Sequence, residues 1–483
     1  MLERKALHLA AGSTALGLVL AATAAGLAGP WDGGQRKAER LRAAALAPTS
    51  GAHHEPDAPD ASPAPAAAPA PAPSAPEVLA VLKAPSGQVS PGKAAPGPAR
   101  VLDPLLRDPG LGPLRTAAVV DTATGRQLYG NGATTPLTPA STVKLVTTAA
   151  ALSALGPDHR LTTTVVADPA HPGHLTLVGG GDPTLTRARL KALAKDTARA
   201  LPARKKPDDG GEGAPRKVTL AYDTSLYSGP VRHPIGVNDN LAPVTALMTD
   251  EARLDKSVSG PAPRAADPAG DTARTFAALL KAQGVRVTGA PAQARAPKGA
   301  GELARTHSAP VSALVERTLT YSDNDLAEAL ARHTALATGH PASFDGAGRA
   351  LRAQLAALGV PPDGARFHDG SGLDRRNRVS ARVLTTVLTR AADPERPALR
   401  SVLTGLPVGG FTGTLKTRYG SDSPGAGLVR AKTGTLTGVN ALSGLAVTPD
   451  GRVLAFAFLA ADTPSPWSAR PALDALATAL IGL

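Results

Sequence analysis

Apolar and polar positions from about residue 101 onwards alternate between short strand-like runs and longer helical stretches. Short apolar runs bounded by turn residues predict strands at 116–121, 127–129, 161–166, 174–178, 439–447 and 453–459. Longer runs with Pro or Gly near their ends predict helices at 140–155, 272–283, 311–319, 324–338, 347–358 and 471–483. This mixture predicts an α/β fold of the α+β kind, in which helices pack on a largely antiparallel sheet.

The first 29 residues are interpreted as either a signal peptide or a membrane anchor. Arg4 and Lys5 precede an apolar run, 6–28, that is rich in Ala, Leu and Gly. A run of about 20 apolar residues is long enough to span a bilayer, whereas the small residues around Ala22 suit signal cleavage. Under both interpretations the rest of the chain acts outside the cytoplasm, either anchored to the membrane through its N-terminus or secreted to the cell wall.

An Ala/Pro-rich segment, 30–100, follows the apolar run and contains few bulky apolar residues. Such a composition buries too little apolar surface to fold, which predicts a disordered, extended linker. The linker would hold the globular part, which begins near Val101, away from the membrane.

The composition of the chain excludes several classes of function. The sequence contains no cysteine, so thiolate nucleophiles, disulfides and zinc–thiolate sites are excluded. The formal charge of +13 favours contact with anionic surfaces. However, scattered Lys and Arg and only 3% aromatic residues do not match the pattern of a nucleic-acid-binding protein. We predict no nucleic-acid partner, no cofactor and no metal.

Three short motifs carry the candidate chemistry: Ser141-Thr142-Val143-Lys144, Ser322-Asp323-Asn324 and Lys432-Thr433-Gly434. Each motif is weak alone, and a second Ser-x-x-Lys stands at 90–93 in the predicted linker. That copy has Pro and Gly at its centre, so it cannot present both side chains on a stable helical face. The copy at 141–144 opens a predicted helix instead, which brings the lysine amine within reach of the serine hydroxyl.

The spacing of Ser141 and Lys144 meets a chemical requirement. A serine hydroxyl becomes a good nucleophile only when a neighbouring base removes its proton. Lys144 can serve as that base if burial and a positive neighbour lower its pKa, and Lys432 is the candidate neighbour. At the start of a helix, the backbone N–H of Ser141 also faces a developing oxyanion.

The other two motifs supply groups for the same cleft. Ser322 and Asn324 begin another predicted helix, where a hydroxyl can relay a proton and an amide can hold substrate; alone, they would be a helix cap and a solvated Asn. The stretch 432–435 precedes an apolar strand, and Gly434 allows close approach of substrate; alone, it would be a strand-end turn. Ala431 in place of Gly excludes a P-loop. Because all three motifs occur in order on suitable elements, we interpret them as one catalytic site.

Three further segments extend the pattern beyond these motifs. They are Gly179-Gly180-Gly181-Asp182-Pro183-Thr184-Leu185, Asp223-Thr224-Ser225-Leu226-Tyr227-Ser228 and Asp369-Gly370-Ser371-Gly372-Leu373. From about residue 101 to the C-terminus, the chain resembles the class C low-molecular-mass penicillin-binding proteins, the D-alanyl-D-alanine carboxypeptidase/D-alanyl-D-alanine-endopeptidase family. The long separation of Ser141 from Ser322 also resembles this family, in which extra domains interrupt the catalytic one.

The resemblance implies a serine β-lactamase/transpeptidase-like antiparallel sheet with flanking helices. An inserted region of one or two smaller domains, 166–305, would divide the catalytic domain into two parts, 101–165 and 306–483. Asp374 departs from the family pattern, because the Asp-Gly-Ser-Gly-Leu segment is usually followed by Ser.

The resemblance also implies a role for each motif residue. Ser141 would form an acyl-enzyme with the penultimate D-Ala of peptidoglycan stem peptides that end in D-Ala-D-Ala, and β-lactam antibiotics would acylate the same serine. The other implied roles are base for Lys144, proton shuttle to the leaving amine for Ser322, amide binding for Asn324, electrostatic assistance for Lys432, carboxylate binding for Thr433, and an oxyanion hole made by the backbone N–H groups of Ser141 and Thr435.

Two alternatives remain open from the residues. A serine β-lactamase shares the motifs but needs an additional water-activating base, and the chain has no Glu-x-x-x-Asn segment to supply one. A non-catalytic cell-wall-binding scaffold would retain the fold, although the intact set of reactive residues argues against it. The sequence does not separate carboxypeptidase from endopeptidase activity, and it gives neither the preferred diamino acid nor the oligomeric state.

Overall fold

The computed structural model describes residues 97–201, 216–420 and 422–483. The predicted signal peptide or anchor, 1–29, and the predicted linker up to residue 96 lie outside the described residues. Within the described ranges, no helix is both long and apolar enough to cross a membrane.

The order of elements is mixed. The helices are α1 (Pro98–Leu106), α2 (Lys144–Leu155), α3 (Arg187–Ala200), α4 (Pro268–Ala282), α5 (Val311–Tyr321), α6 (Asn324–Ala337), α7 (Phe344–Ala357), α8 (Ala381–Ala392), α9 (Ser401–Thr404) and α10 (Pro466–Ala479). The strands are β1 (Leu114–Asp121), β2 (Gln127–Asn131), β3 (Arg160–Ala167), β4 (His174–Val178), β5 (Arg216–Asp223), β6 (Val285–Val287), β7 (Ala292–Gln293), β8 (Gly301–Pro310), β9 (Val429–Leu436), β10 (Val439–Val447) and β11 (Val453–Ala461). The predicted α/β architecture is confirmed.

The first sheet has five strands in the order β2-β1-β11-β10-β9, and all of its neighbouring strands are antiparallel. Its central strands are apolar on both faces because helices cover both. On one face, residues such as Ala457 and Leu459 pack with residues of α2 and α8. On the other face, Phe456 and Phe458 pack with residues of α1 and α10. The result is a layered helix–sheet–helix unit.

Helix α2 is enclosed within this unit, since α5, α6, α7 and α8 all pack against it. Its sequence, KLVTTAAALSAL, is apolar around most of its circumference, and nine of its residues, from Lys144 to Leu152, are buried. Such a pattern is typical of a helix in the middle of a core. The buried helix therefore holds Ser141 and Lys144 in fixed positions.

The second sheet has the order β6-β5-β4-β3-β8. The strand pairs β4–β5 and β5–β6 are parallel, whereas β3 pairs antiparallel with both β4 and β8. Helices α3 and α4 contribute Leu190, Leu193, Phe276 and Leu280 to the apolar core of this sheet. We propose that this stretch, from β3 to β8, corresponds to the inserted region predicted for 166–305, with both bounds moved outward to include the whole of β3 and β8. The first sheet with its helices would be the catalytic domain.

Candidate active site

Five predicted site residues, four from the three motifs and Thr435 beside the third, meet around one cleft of about 300 Å³. The predicted site residues among those that line it are Ser141, Ser322, Asn324, Thr433 and Thr435. Lys144 and Lys432 have no exposed surface, and Gly434 lies in β9 between the two threonines. The structure therefore brings together elements that are almost 300 positions apart in the sequence.

Ser141 lies in a 3₁₀ turn, Ala140–Val143, that leads into α2. The helix predicted for 140–155 thus begins with a tighter turn than expected. Ala140 has a left-handed backbone with φ of 47°, an uncommon conformation for a residue with a Cβ. Gly372 packs against this turn, and a Cβ on Gly372 would lie 2.1 Å from the Ala140 carbonyl oxygen. Glycine is therefore required at 372 to fix the backbone before Ser141.

The amine of Lys144 has three oxygen neighbours. Its Nζ lies 3.0 Å from Ser141 Oγ, 2.7 Å from Asn324 Oδ1 and 2.5 Å from the Ser371 carbonyl oxygen. A neutral amine has two N–H bonds and one lone pair. Because the amide and carbonyl oxygens can only accept, they take both N–H bonds and leave the lone pair directed at the Ser141 hydroxyl. In this geometry, Lys144 can take up the Ser141 proton.

Burial favours the neutral form of both motif lysines. Desolvation lowers the pKa of Lys144 to about 8, although the charges of Asp369 and Asp323 oppose the shift. Burial and the charge of Lys144 lower the pKa of Lys432 well below its usual range. The sequence predicted that a positive neighbour would help to lower the Lys144 pKa, but desolvation is its principal cause. The repulsion between the lysines acts mainly on Lys432.

The Ser-Asp-Asn motif joins two helices instead of opening one. Ser322 follows α5 with a left-handed φ of 58°, and Asp323 is the N-cap of α6, where its carboxylate accepts from Leu326 N at 3.0 Å. Asn324 is the first residue of α6, and its Nδ2 donates to the Asn240 carbonyl oxygen at 2.9 Å. This contact and the Lys144 contact together fix the orientation of the Asn324 amide.

The motif Lys432-Thr433-Gly434 lies on β9, the last strand in the order of its sheet. A Cβ on Gly434 would lie 2.7 Å from the Pro139 carbonyl oxygen, so glycine allows β9 to approach the Ser141 turn. Thr433 Oγ1 is 2.9 Å from Thr414 Oγ1, which also lines the cleft. An extended peptide can add to such a strand through its backbone.

The stretch between β5 and α4 supplies site residues that the sequence did not reveal. Arg264 Nη1 lies 2.8 Å from Asp325 Oδ2, and Ala242 N donates to Asp325 Oδ1 at 3.0 Å. Burial raises the pKa of Asp325 to about 6, whereas Arg264 opposes that shift. Together with the Asn240 contact, these bonds hold the start of α6. Arg264 and Arg253 line the cleft, but they belong to no sequence motif.

The segment 369–373 also lies beside the site, beyond the three predicted motifs. Glu328 Oε1 accepts hydrogen bonds from Gly370 N at 3.0 Å and from Ser371 N at 2.9 Å. These bonds hold the backbone just before the Ser371 carbonyl that contacts Lys144. The N–H of Gly372, which shares a peptide group with that carbonyl, donates to Asp369 Oδ1 at 2.9 Å. The departure at Asp374 is accommodated locally, because its side chain pairs with Arg376 at 2.6 Å.

Comparisons with known proteins agree with this arrangement. The model of the D-Ala-D-Ala carboxypeptidase 3 (S13) family matches residues 99–263 and 256–480. The chain belongs to this family. It is 38% identical over 416 residues to carboxypeptidase DacB of Mycolicibacterium smegmatis, covering 82% of this chain and 87% of the relative. It is 30% identical over 448 residues to a D-alanyl-D-alanine carboxypeptidase of Actinomadura sp., covering 74% of this chain and 80% of the relative.

A solved structure is similar in fold. Penicillin binding protein 4 from Haemophilus influenzae superposes with a TM-score of 0.66 at 21% identity, over 79% of this chain and 98% of that chain. The predicted family, the serine D-Ala-D-Ala carboxypeptidase class and the penicillin-binding-protein fold are confirmed. As a member of a cell-wall carboxypeptidase family, the enzyme acts outside the cytoplasm.

Proposed function

We propose that this family member cleaves peptidoglycan stem peptides that end in D-Ala-D-Ala through an acyl-enzyme on Ser141. The observation that carries the proposal is the 3.0 Å separation of Lys144 Nζ and Ser141 Oγ. The two remaining contacts of that amine, with Asn324 and Ser371, orient its lone pair. Nucleophile, base and orienting groups thus form the arrangement that serine acyl transfer requires.

Acylation begins when the neutral Lys144 removes the Ser141 proton. Ser141 Oγ then attacks the carbonyl carbon of the penultimate D-Ala, and negative charge develops on the carbonyl oxygen. The backbone N–H groups of Ser141 and Thr435 stabilise that charge. The proposal is supported by the close packing of β9 on the Ser141 turn, which Gly434 permits.

Collapse of the tetrahedral intermediate breaks the peptide bond. The proton passes through Ser322 to the leaving amine, which departs as free D-Ala. Asn324 holds the amide of the stem peptide, Thr433 binds the terminal carboxylate, and the buried Lys432 assists electrostatically. A water molecule then attacks the ester carbon, releases the shortened stem peptide and returns the hydroxyl of Ser141.

Endopeptidase activity is the same acyl transfer with a different leaving amine, one that belongs to a cross-linked stem. We propose that both reactions use Ser141, and that β-lactams form an ester with it by ring opening. Support comes from the Haemophilus penicillin binding protein 4, which has been solved in complex with a β-lactam. For the N-terminus we propose export through residues 1–29, with retention as an anchor as the alternative outcome. We also propose a spacer role for the predicted linker, 30–100, as far as Pro98, where α1 begins.

The test is intact-mass analysis of the purified chain after incubation with benzylpenicillin, followed by peptide mapping. We expect a persistent adduct on Ser141 that is lost in Ser141→Ala. The matched control is Ser90→Ala in the other Ser-x-x-Lys sequence, which should label like the wild type. Rapid hydrolysis of penicillin would favour a β-lactamase instead. Intact penicillin with no adduct would favour a scaffold.

A further inference from the structure

A buried histidine from the stretch between β5 and α4 contacts the loop beside the catalytic lysine. His233 is 5% exposed, and its Nε2 lies 2.9 Å from Asp369 Oδ2. Its other ring nitrogen, Nδ1, accepts from Ile235 N at 3.1 Å. Because Nδ1 accepts, the ring proton is on Nε2 and is donated to the carboxylate. The orientation of the imidazole is therefore fixed from both sides.

The carboxylate of Asp369 accepts hydrogen bonds from five groups, and all but His233 lie in its own loop. The other donors are Ser371 Oγ, Gly372 N, Asp374 N and Asn377 Nδ2. These bonds keep the pKa of Asp369 low, at about 2, despite complete burial. A side chain with this many loop donors determines the path of the loop.

The path of that loop determines where Lys144 points. Ser371 donates through Oγ to Asp369 at 2.9 Å, and its carbonyl oxygen accepts from Lys144 Nζ at 2.5 Å. A continuous set of contacts thus runs from His233 through Asp369 and Ser371 to Lys144. His233 and Asp369 are 136 positions apart in the sequence, so only the tertiary fold brings them into contact.

Other charged and aromatic groups near His233 have partners of their own. Glu328 accepts from Arg332 at 3.0 Å and from the backbone of the loop. Arg332 lies 4.2 Å from the centre of the Phe344 ring, and His233 meets the same ring edge-on at 5.2 Å. His233, Glu328 and Asp369 could together offer ligand atoms to a metal, but protein donors already occupy both carboxylates. The contacts favour a positioning role over a metal site.

We propose that His233 is a positioning residue for Lys144, which holds the Ser371 carbonyl through Asp369 and so directs the lysine lone pair at Ser141. The inference rests on the proposed function. It adds a further contact between the site and the stretch between β5 and α4, besides the bond from Asn324 to Asn240 and the two bonds to Asp325. His233 itself touches neither the substrate nor Ser141 in this role.

The experiment compares His233→Ala and His233→Gln with the wild type. Acylation by benzylpenicillin and D-Ala release from a D-Ala-D-Ala peptide are measured as functions of concentration and pH. A displaced lysine should lower the maximal acylation rate about 10–100-fold and change the concentration of half-saturation much less. Because Gln keeps an N–H donor for Asp369, His233→Gln should recover most of the rate.

The matched control is His333→Gln, a change at another buried histidine. His333 lies on α6, packs edge-on against Tyr227 at 6.0 Å and has no contact with the 369–373 loop among those described. We expect this variant to acylate at the wild-type rate. Thermal unfolding of all variants identifies any that fail to fold. If His233→Ala does not fold, the test rests on His233→Gln and on how its acylation rate depends on pH.

Three outcomes would overturn the inference. One is a wild-type maximal rate in folded His233→Ala. Another is an equal loss in His233→Gln, His233→Ala and His333→Gln, which would indicate a general packing effect. The third is a change confined to the concentration of half-saturation, with the maximal rate unaltered. Failure of the proposed function is distinct, because the wild type itself would then form no adduct on Ser141.

Discussion

Replacing Gly434 with alanine tests whether close packing of β9 on the Ser141 turn sets the rate of acylation. The new Cβ would lie 2.7 Å from the Pro139 carbonyl oxygen and 3.2 Å from Ala140 Cβ. Neither atom can rotate away, since one is backbone and the other is fixed to it. Normal contact distances of about 3.5 Å then require the strand and the turn to separate by about 0.5–1 Å.

A displacement of this size has two expected effects. Misplacing catalytic groups by about 1 Å costs as much as 100-fold in rate, so Gly434→Ala should lower the second-order rate constant of benzylpenicillin acylation about 10–100-fold. Overpacking should also lower the free energy of unfolding by about 1–3 kcal/mol. The rate is measured by stopping the reaction at intervals and determining the acylated fraction by mass, and the stability by urea unfolding.

The control is Gly301→Ala, which adds the same methyl group to a strand glycine with no heavy atom within 4 Å of the new Cβ. This variant should acylate like the wild type. If Gly434→Ala also acylates at the wild-type rate, the close approach of β9 to the Ser141 turn does not govern the reaction, and our account of the oxyanion hole is wrong.

Two further predictions follow from the buried ionisable groups. Lys144 has a pKa of about 8, and only its neutral amine accepts the Ser141 proton. The acylation rate should therefore rise with pH, from roughly one tenth of its maximum at pH 7 towards a plateau above about pH 9. A rate independent of pH over this range would contradict the role of Lys144. The pKa of Asp369, about 2, lies below its unfolded value, so ionised Asp369 stabilises the fold above about pH 4 by about 2 kcal/mol and loses this effect as pH falls towards 2. In urea unfolding, the stability advantage of the wild type over Asp369→Asn should therefore shrink on acidification, and an advantage that grew would refute the assignment.

Local sequence signals predicted the elements that lie near Ser141. The apolar run that forms α2 and the apolar strands β10 and β11 are largely buried, so the apolar pattern alone identifies them. Helix α8 was not predicted, although Ser380 caps its N-terminus by accepting from Val383 N. The signal was present there, in a Ser followed by apolar residues at helical spacing.

The predicted start of the helix at Ser322 was wrong for a different reason. A Ser-Asp-Asn sequence favours a Ser N-cap, but both Ser and Asp can cap a helix. The structure uses Asp323, which places Ser322 in a left-handed turn after α5. Local propensity does not decide between neighbouring caps; packing of the two helices does.

Contacts between distant segments could not be predicted from a single sequence. The bonds from His233 to Asp369 and from Arg264 to Asp325 join residues 136 and 61 positions apart. The two partners of each pair share no motif, so no local pattern indicates that they meet. The three motifs predicted which residues would meet, but the direction of the Lys144 lone pair depends on a carbonyl, and carbonyls carry no sequence signal.

The contacts made by the stretch between β5 and α4 have an evolutionary consequence. Without that stretch, the carboxylates of Asp325 and Asp369 would each lose a buried partner, and the Asn324 amide would lose its acceptor on Asn240. Buried carboxylates that lose partners are costly, so a chain that lost this stretch would have a destabilised α6 start and a destabilised 369–373 loop. The stretch and these two segments are therefore expected to change together: a descendant with a shortened stretch would need new partners for both segments before its lysine pointed at its serine again.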